Sequence, residues 1–303
     1  MPAPDVYDWA HCTPNLRALS YRFTVCCDDA ALGTHISAML RSLCDTEERD
    51  DAAVSVGPPA PHQYTLTASP ERPGAVDVRR DGELVEAALA PGVAVGWLVW
   101  DVNRLAAELS GEHLLFHSGG LEASGVGILV PAASGSGKST LTAGLVRSGL
   151  GYLSDELVAL ELDLEDADPG PGRLLPYPKP ITVKPGSFGV LADMAPEVLD
   201  GEGDGEWLVP VGDGTGRRVG GACEPGFVIV PRYDPSAETA LVGLSETEAF
   251  FTLALHAVNL LPHGPAGSEA LGRLAAECAC YALAFSDLDA ACELVLGVVG
   301  ARV

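Results

Sequence analysis

Residues 125–156, GVGILVPAASGSGKSTLTAGLVRSGLGYLSDE, constrain this chain more than any other stretch. An apolar run at 126–130, bounded by glycines, reads as a buried strand. It enters a small-residue loop, Ala132-Ala133-Ser134-Gly135-Ser136-Gly137, which ends in Lys138-Ser139-Thr140. A helical pattern follows, with Leu141, Leu145 and Val146 on one face and Gly149 placed to end it. Strand, glycine loop, Lys-Ser, helix is the context that a phosphate-binding P-loop requires. Gly135 and Gly137 free successive backbone amides to turn toward an anion, and the helix N-terminus adds partial positive charge. Residues 134–140 are therefore the expected nucleotide contacts. Lys138 is expected to bridge the outer phosphates, and the Ser139 hydroxyl to take a position on Mg²⁺. Ala132 stands where the usual G-x-x-x-x-G-K-S pattern begins with glycine, and a small residue fits there if its φ is negative.

A phosphate cradle alone does not separate a switch, a motor and a kinase. The discriminating feature is Asp155 with Glu156 beside it, at the end of a short strand expected over residues 151–154. That strand would carry both carboxylates back beside the loop, at the carboxyl end of the sheet. One of them, Glu156 or Asp155, can hold Mg²⁺ together with Ser139. Asp155 can take the proton of an attacking hydroxyl. His117 precedes the loop strand in a Gly-flanked segment, from which it can neutralise a phosphate or relay a proton.

Composition narrows the partners. The net charge of −24 argues against nucleic acid and anionic membranes, whose phosphates would be repelled. Only three lysines are present, Lys138, Lys179 and Lys184, so their positions carry information. Lys179, Lys184 and the Arg217-Arg218 pair are candidate phosphate or substrate contacts, the arginines as a lid. No apolar run approaches the ~18 residues of a membrane span. The eight cysteines form no C-x-x-C pair or zinc-like grouping, and the first residues carry no basic-then-apolar leader pattern. A cytoplasmic protein with reduced thiols is the expectation.

Read in order, residues 1–15 look like an irregular leader. Strand character is expected over 19–27, 64–67, 75–79 and 84–87, the last two joined by a turn at Arg80-Asp81-Gly82. Helices are expected over 30–43 and 93–109. This makes a small α+β unit over residues 1–112 that can select the substrate. The larger unit, residues 113–303, adds strands at 114–120, 157–162, 226–232 and 280–285. Helices are expected there over 246–261 (capped by Ser245 or Thr247), 268–278 and 287–299, the last started by Ser286. The Gly- and Asp-rich stretch 196–221 reads as mobile.

The run from His117 to Glu156 resembles the catalytic domain of HPr kinase/phosphorylase and of related kinases in peptide-biosynthesis clusters. In that family a His-Gly segment, a G-x-S-G-x-G-K-S loop and an Asp-Asp pair follow one another. Here these positions hold His117-Ser118, residues 132–139 and Asp155-Glu156. Residues 178–188, 246–259 and 280–288 are similar to the peptide-cluster branch. The resemblance implies an α/β fold, a P-loop kinase core of the HPr kinase/PEP carboxykinase-like type with the smaller N-terminal α+β domain. It also implies ATP and Mg²⁺ as cofactors and oligomeric assembly. Transfer would go to a serine-type hydroxyl, with Asp155 as acid/base, Glu156 and Ser139 on the metal side and His117 in the active site. Three positions depart from the pattern: Ala132 for Gly, Glu156 for the second Asp, and Thr140 for an acidic residue. The family's long glycine-rich signature loop is absent, which argues against HPr itself as acceptor.

The leading expectation is thus an ATP-dependent kinase acting on a hydroxyl of a small protein or ribosomal peptide. A small-molecule hydroxyl kinase and a nucleotide-sensing module without transfer remain as alternatives. The departures at Ala132 and Thr140 favour the last of these.

Overall fold

Alternation of apolar side chains along YRFTVCC buries Tyr21, Phe23, Val25 and Cys27 on one side of a strand, and a sheet grows around it. The structure, a computed structural model, describes residues 8–45, 60–162, 172–196 and 205–301. Residues 46–59 and 163–171, and residues 197–204 of the Gly- and Asp-rich stretch, lie outside those residues.

The first sheet comprises β1 (His11–Cys12), β2 (Leu16–Ala18), β3 (Tyr21–Cys27), β4 (His62–Ala68), β5 (Val76–Arg80) and β6 (Glu83–Leu89). Its order is β1-β3-β4-β5-β6, with β2 also on β3; only the β3–β4 pair is parallel. Asp81 and Gly82 both take positive φ between β5 and β6, as a two-residue hairpin requires. Helix α1 (Ala30–Met39) starts where Asp29 accepts the Leu32 amide. It ends sooner than the sequence spacing predicts, because Leu40 leaves helical geometry and Arg41–Leu43 forms a 3₁₀ turn. Helix α2 (Pro91–Leu109) begins with proline in its first turn, where a missing amide costs nothing.

The second sheet holds β7 (Leu114–Ala123), β8 (Val126–Pro131), β9 (Gly151–Ser154), β10 (Leu157–Glu161), β11 (Arg173–Leu175), β14 (Glu224–Tyr233), β15 (Ala240–Gly243) and β16 (Ala279–Phe285). Its order is β11-β10-β7-β8-β14-β16-β15, with β9 also on β7. The pairs β8–β14 and β14–β16 are parallel. Separately, β12 (Ile181–Val183) pairs with β13 (Trp207–Val209). Helices α3 (Lys138–Arg147), α4 (Glu246–His256), α5 (Leu260–Glu277) and α6 (Leu288–Gly300) complete a mixed α/β architecture with six helices among the described residues.

Helix α3 and helix α6 cover one face of this sheet, in a cluster with Val130, Leu145, Phe227 and Leu283. Helices α4 and α5 cover the other, against Phe116, Leu129 and Val228. The two sheets also share apolar packing. Leu115, Leu157, Ala159 and Tyr177 belong to the same buried cluster as Tyr64, Leu98 and Val102 of the first unit. Helix α2 thus shares its apolar packing with the start of β10.

Several expectations need correction. Residues 11–12 are a strand rather than leader, because their backbone pairs with Cys26 and Cys27. Cys12 lies directly opposite Cys26 in that ladder and the two form a disulfide, so not all thiols are reduced; no disulfide joins the other six. Asp287, not Ser286, starts α6, since its carboxylate accepts the Ala290 amide while the Ser286 hydroxyl donates to the Ala237 carbonyl. Ser245 caps α4 in a reciprocal capping box with Glu248. That helix stops at His256 because the chain turns to bridge Phe116 through Ala257. Helix α5 begins earlier than the spacing predicts and is kinked at Gly264, before Pro265. Residues 207–209, within the stretch read as mobile, are β13.

The cross-strand disulfide closes a separation of 14 residues. Its reduction, or Cys12→Ser, is expected to lower the unfolding free energy by about 2–3 kcal/mol, read by denaturant titration. Alkylation of the unreduced, denatured protein should label six of the eight cysteines by mass. Eight labels would contradict the pairing.

Candidate functional site

Strand β7 is antiparallel to β8 on one edge and to β9 and β10 on the other. Strands β8 and β9 therefore run the same way, and the segments that follow them leave the sheet toward the same end. Pro131, the last residue of β8, lies opposite Ser118. From the other edge, the Ser118 amide donates to the Glu156 carbonyl at 3.1 Å. A single residue of β7 thus stands between the glycine loop and the Asp155-Glu156 bulge. The separation is two strand spacings of about 4.8 Å each.

The glycine loop adopts the conformations its residue types suggest. Gly135 and Gly137 have φ of +84° and +87°, while Ala132 is buried and is not among the residues with positive φ. A Cβ on Gly137 would come within 2.7 Å of the Phe285 ring and 3.1 Å of Tyr233. Gly137 caps α3 without any side-chain acceptor, so no side chain occupies the first-turn amides. The Ser136 hydroxyl turns back to the Ala133 carbonyl at 2.6 Å.

Lys138 is buried, and its ammonium donates to the backbone carbonyl of Asp155 at 2.9 Å. Burial, aided by Lys179 and Lys184, pulls it below the usual lysine range, while Asp155 and Glu156 oppose. The Asp155 side chain is also buried, and its partners are specific. Lys179 Nζ lies 2.7 Å from Oδ1, the Tyr152 hydroxyl donates to Oδ1 at 2.7 Å, and the Thr182 amide donates to Oδ2 at 3.0 Å. Burial alone would raise the Asp155 carboxyl; Lys179, Thr182 and Tyr152 outweigh it and hold the group below the carboxylate range. For Lys179, burial lowers and Asp155 and Glu156 raise, with a net rise. Both directions describe one buried, charged pair. Glu156 is 3.6 Å from Lys179, but its side chain is 45% exposed and so is the available carboxylate. His117, on β7 opposite Leu157, is half-buried; burial and then Lys138 push it down, keeping the ring neutral near pH 7, against the pull of Glu156 and Asp155.

These groups line one cavity of about 990 Å³. All three lysines of the chain border it, with Asp155, Glu156, His117, Ser134, Gly135, Gly137, Ser139 and Thr140. Among the expected contacts, Ser136 does not border it. The Thr140 hydroxyl is engaged by Ser187 at 2.5 Å, tying α3 to the turn after Lys184.

Arg217 and Arg218 do not reach this cavity. They border a second one of about 820 Å³, with Arg17 and Arg41 of the first unit. Their segment is hydrogen-bonded along β9: the Tyr152 amide donates to the Arg218 carbonyl and the Gly220 amide to the Tyr152 carbonyl. Arg218 pairs there with the buried Glu122, and Arg217 donates to the Pro210 carbonyl at 3.3 Å. Arg217 and Arg218 therefore lie at the other cavity rather than over the glycine loop.

Sequence reasoning missed Tyr152, Thr182 and Ser187, and the wall that α2 contributes. Tyr152, three residues before Asp155 on a short strand, carried a faint signal; the others depend on long-range packing. No cluster of three or more His, Cys, Asp or Glu suited to a metal occurs among the described residues. The residues nonetheless fit Mg²⁺, which is commonly held by one or two carboxylates and phosphate oxygens rather than by an all-protein cage. The available Glu156 carboxylate and the Ser139 hydroxyl are such donors.

Lys179→Met should cost roughly 3–5 kcal/mol, because it strands a buried carboxylate. Adding Asp155→Asn should recover much of that loss, as a double-mutant cycle in denaturant would read. The sign with pH follows from the two shifts. Asp155 contributes stability above the carboxylate range and loses it as acid protonates it; Lys179 contributes below the lysine range and loses it in strong base. Wild type should therefore lose stability in acid more steeply than the Asp155→Asn/Lys179→Met protein.

No family model matches this chain, and no curated protein matches it. Among solved structures it is similar to the Hpr(Ser) kinase/phosphatase from Coxiella burnetii, with 13% sequence identity and a TM-score of 0.30. The likeness covers 62% of this chain and 95% of that one. No helix among the described residues is long and apolar enough to cross a membrane.

Proposed function

We propose that the chain is an ATP-dependent kinase that transfers the terminal phosphate to a hydroxyl of a peptide, small protein or small molecule. One observation carries the reading: every lysine of a chain with net charge −24 borders the cavity shared by the glycine loop and the Asp155-Glu156 pair. Concentrating scarce positive charge there suits a polyphosphate.

In this reading the loop amides and the α3 N-terminus bind the phosphates, and Lys138 leaves the Asp155 carbonyl to bridge the outer ones. Glu156 and Ser139 would hold Mg²⁺, which would supply charge neutralisation when bound. Lys179 keeps Asp155 ionised and fixes its orientation. One lone pair of Oδ2, beyond the bond from Thr182, receives the proton of the acceptor hydroxyl. A carboxylate so well stabilised is a weak base, which suffices where the transition state is loose and the hydroxyl is deprotonated late. Neutral His117 can bond to a phosphate oxygen or to the incoming hydroxyl. Lys184, exposed at the rim, would meet the phosphates as they enter.

Because Asp155→Asn alone unpairs Lys179, the test uses the Asp155→Asn/Lys179→Met protein beside Lys179→Met. Phosphotransfer from labelled ATP should fall a further ~10²–10⁴-fold when the carboxylate is removed, with ADP still bound. Equal turnover in the two proteins would remove Asp155 from the proton transfer. Glu156→Gln should instead raise the Mg²⁺ concentration needed for half-maximal rate.

A further inference from the structure

The cavity has a second side that phosphate binding does not use. Helix α2 of the N-terminal unit presents to it Val93, Gly96, Trp97, Trp100 and Asn103, a stripe at helical spacing. Eight of the nineteen residues of α2 are buried on its other face, while on this stripe Val93 and Trp100 remain 41% and 58% exposed. Trp100 is held in place by Trp97, with ring centroids 6.3 Å apart, and by the Arg104 guanidinium 5.9 Å over its ring. A Cβ on Gly96 would meet nothing within 4 Å, so the stripe contains a gap beside the indoles. Next to it, the Asn103 side-chain oxygen is buried and has no hydrogen-bond partner. An orphan acceptor of this kind costs free energy unless something supplies its donor.

The two ends of the cavity can be told apart. Tyr233 and Phe285 lie against Gly137, and the Tyr233 amide donates to the Ser136 carbonyl, so these rings sit on the glycine-loop side. Helix α2 shares a buried cluster with Leu157, the residue after Glu156, and its stripe borders the cavity that Asp155 and Glu156 line. A nucleoside extending from the loop has Tyr233 beside it. An acceptor that must reach Asp155 has α2 beside it. At about 990 Å³ the cavity is at the upper end for one small ligand, leaving room for both.

We propose that the α2 stripe is the acceptor subsite, and that it selects a neutral hydroxyl compound carrying an apolar, aromatic-sized group beside the hydroxyl. This rests on the kinase reading for the hydroxyl, not for the apolar group. The group fills the gap at Gly96 against Trp97 and Trp100, and an N–H or O–H of the acceptor donates to Asn103. Glu206 borders the same cavity and disfavours an acidic neighbour. The source is a serine or threonine flanked by such a side chain, or a free aromatic alcohol.

The full chain, with ADP and Mg²⁺, would be titrated calorimetrically with N-acetyl-Ser-Phe-amide, N-acetyl-Ser-Asp-amide and 2-phenylethanol. The Phe peptide or the alcohol should bind at least about tenfold tighter than the Asp peptide. Whichever of the two binds identifies the source. Gly96→Leu places its Cβ where nothing lies within 4 Å and brings a better helix former, so it should fold, and it should weaken that ligand about tenfold. Asn103→Ala should weaken it severalfold through loss of the hydrogen bond. Equal affinity for the Phe and Asp peptides, binding of neither apolar ligand, or no effect of Gly96→Leu would overturn the subsite. Phosphate transfer from labelled ATP to the same compounds separates the two proposals. Gly96-dependent binding without transfer keeps the subsite and removes the kinase. Transfer indifferent to the flanking group does the reverse.

Discussion

Two opposite charges excluded from water hold the site together. Taking either Asp155 or Lys179 out of water alone would cost several kcal/mol, so the fold must keep them in contact. That requirement joins three pieces of chain that sequence separates. The β9–β10 bulge supplies the carboxylate, the proline-punctuated segment before β12 supplies the ammonium, and Tyr152 and Thr182 close the remaining contacts. Lys138 is drawn in through the carbonyl of the same aspartate. The electrostatic centre is thus built from the protein's own groups, and Glu156 is left as the carboxylate facing solvent.

The central strand explains why this assembly falls beside the glycine loop. Strand β7 is long enough to be paired on both edges at Ser118, so the two chemical segments are held at fixed spacing by backbone hydrogen bonds. Little of that precision depends on side chains. The residues that do adapt, Gly119 and Gly120, lie next in β7; a Cβ there would meet Thr142 at 2.3 Å and Val158 at 2.7 Å. Their small size lets α3 on one face and β10 on the other edge approach the strand closely.

Local patterns were legible in the sequence where local physics decides them. The apolar run of β8, the positive-φ glycines of the loop and the Asp81-Gly82 turn all report their own backbone needs. Asp155 was legible as a group near the loop, since a short strand could return it there. Its partner was not: Lys179 has the composition of a surface lysine, and only the tertiary fold buries it. The placement of Arg217 and Arg218 at the other cavity was hidden for a related reason. A Gly-rich neighbourhood looks free to close, but those amides and carbonyls are spent on β9. Cys12 and Cys26 gave no warning because their pairing depends on strand register, which spacing does not encode. Asp287 and Ser286 are both good cap residues, and one residue of phase decided between them.

The buried cluster that contains Leu98 and Val102 also contains Leu115, Leu157 and Ala159 of the larger sheet. The first hundred or so residues are therefore not a detachable module clipped onto a self-sufficient engine. A graft that replaced them with a foreign unit would have to reproduce the same apolar seam, or the edge beside Leu157 would be left greasy and wet. Divergence in this part of the chain is consequently coupled to the engine's own packing, and the two halves must drift together.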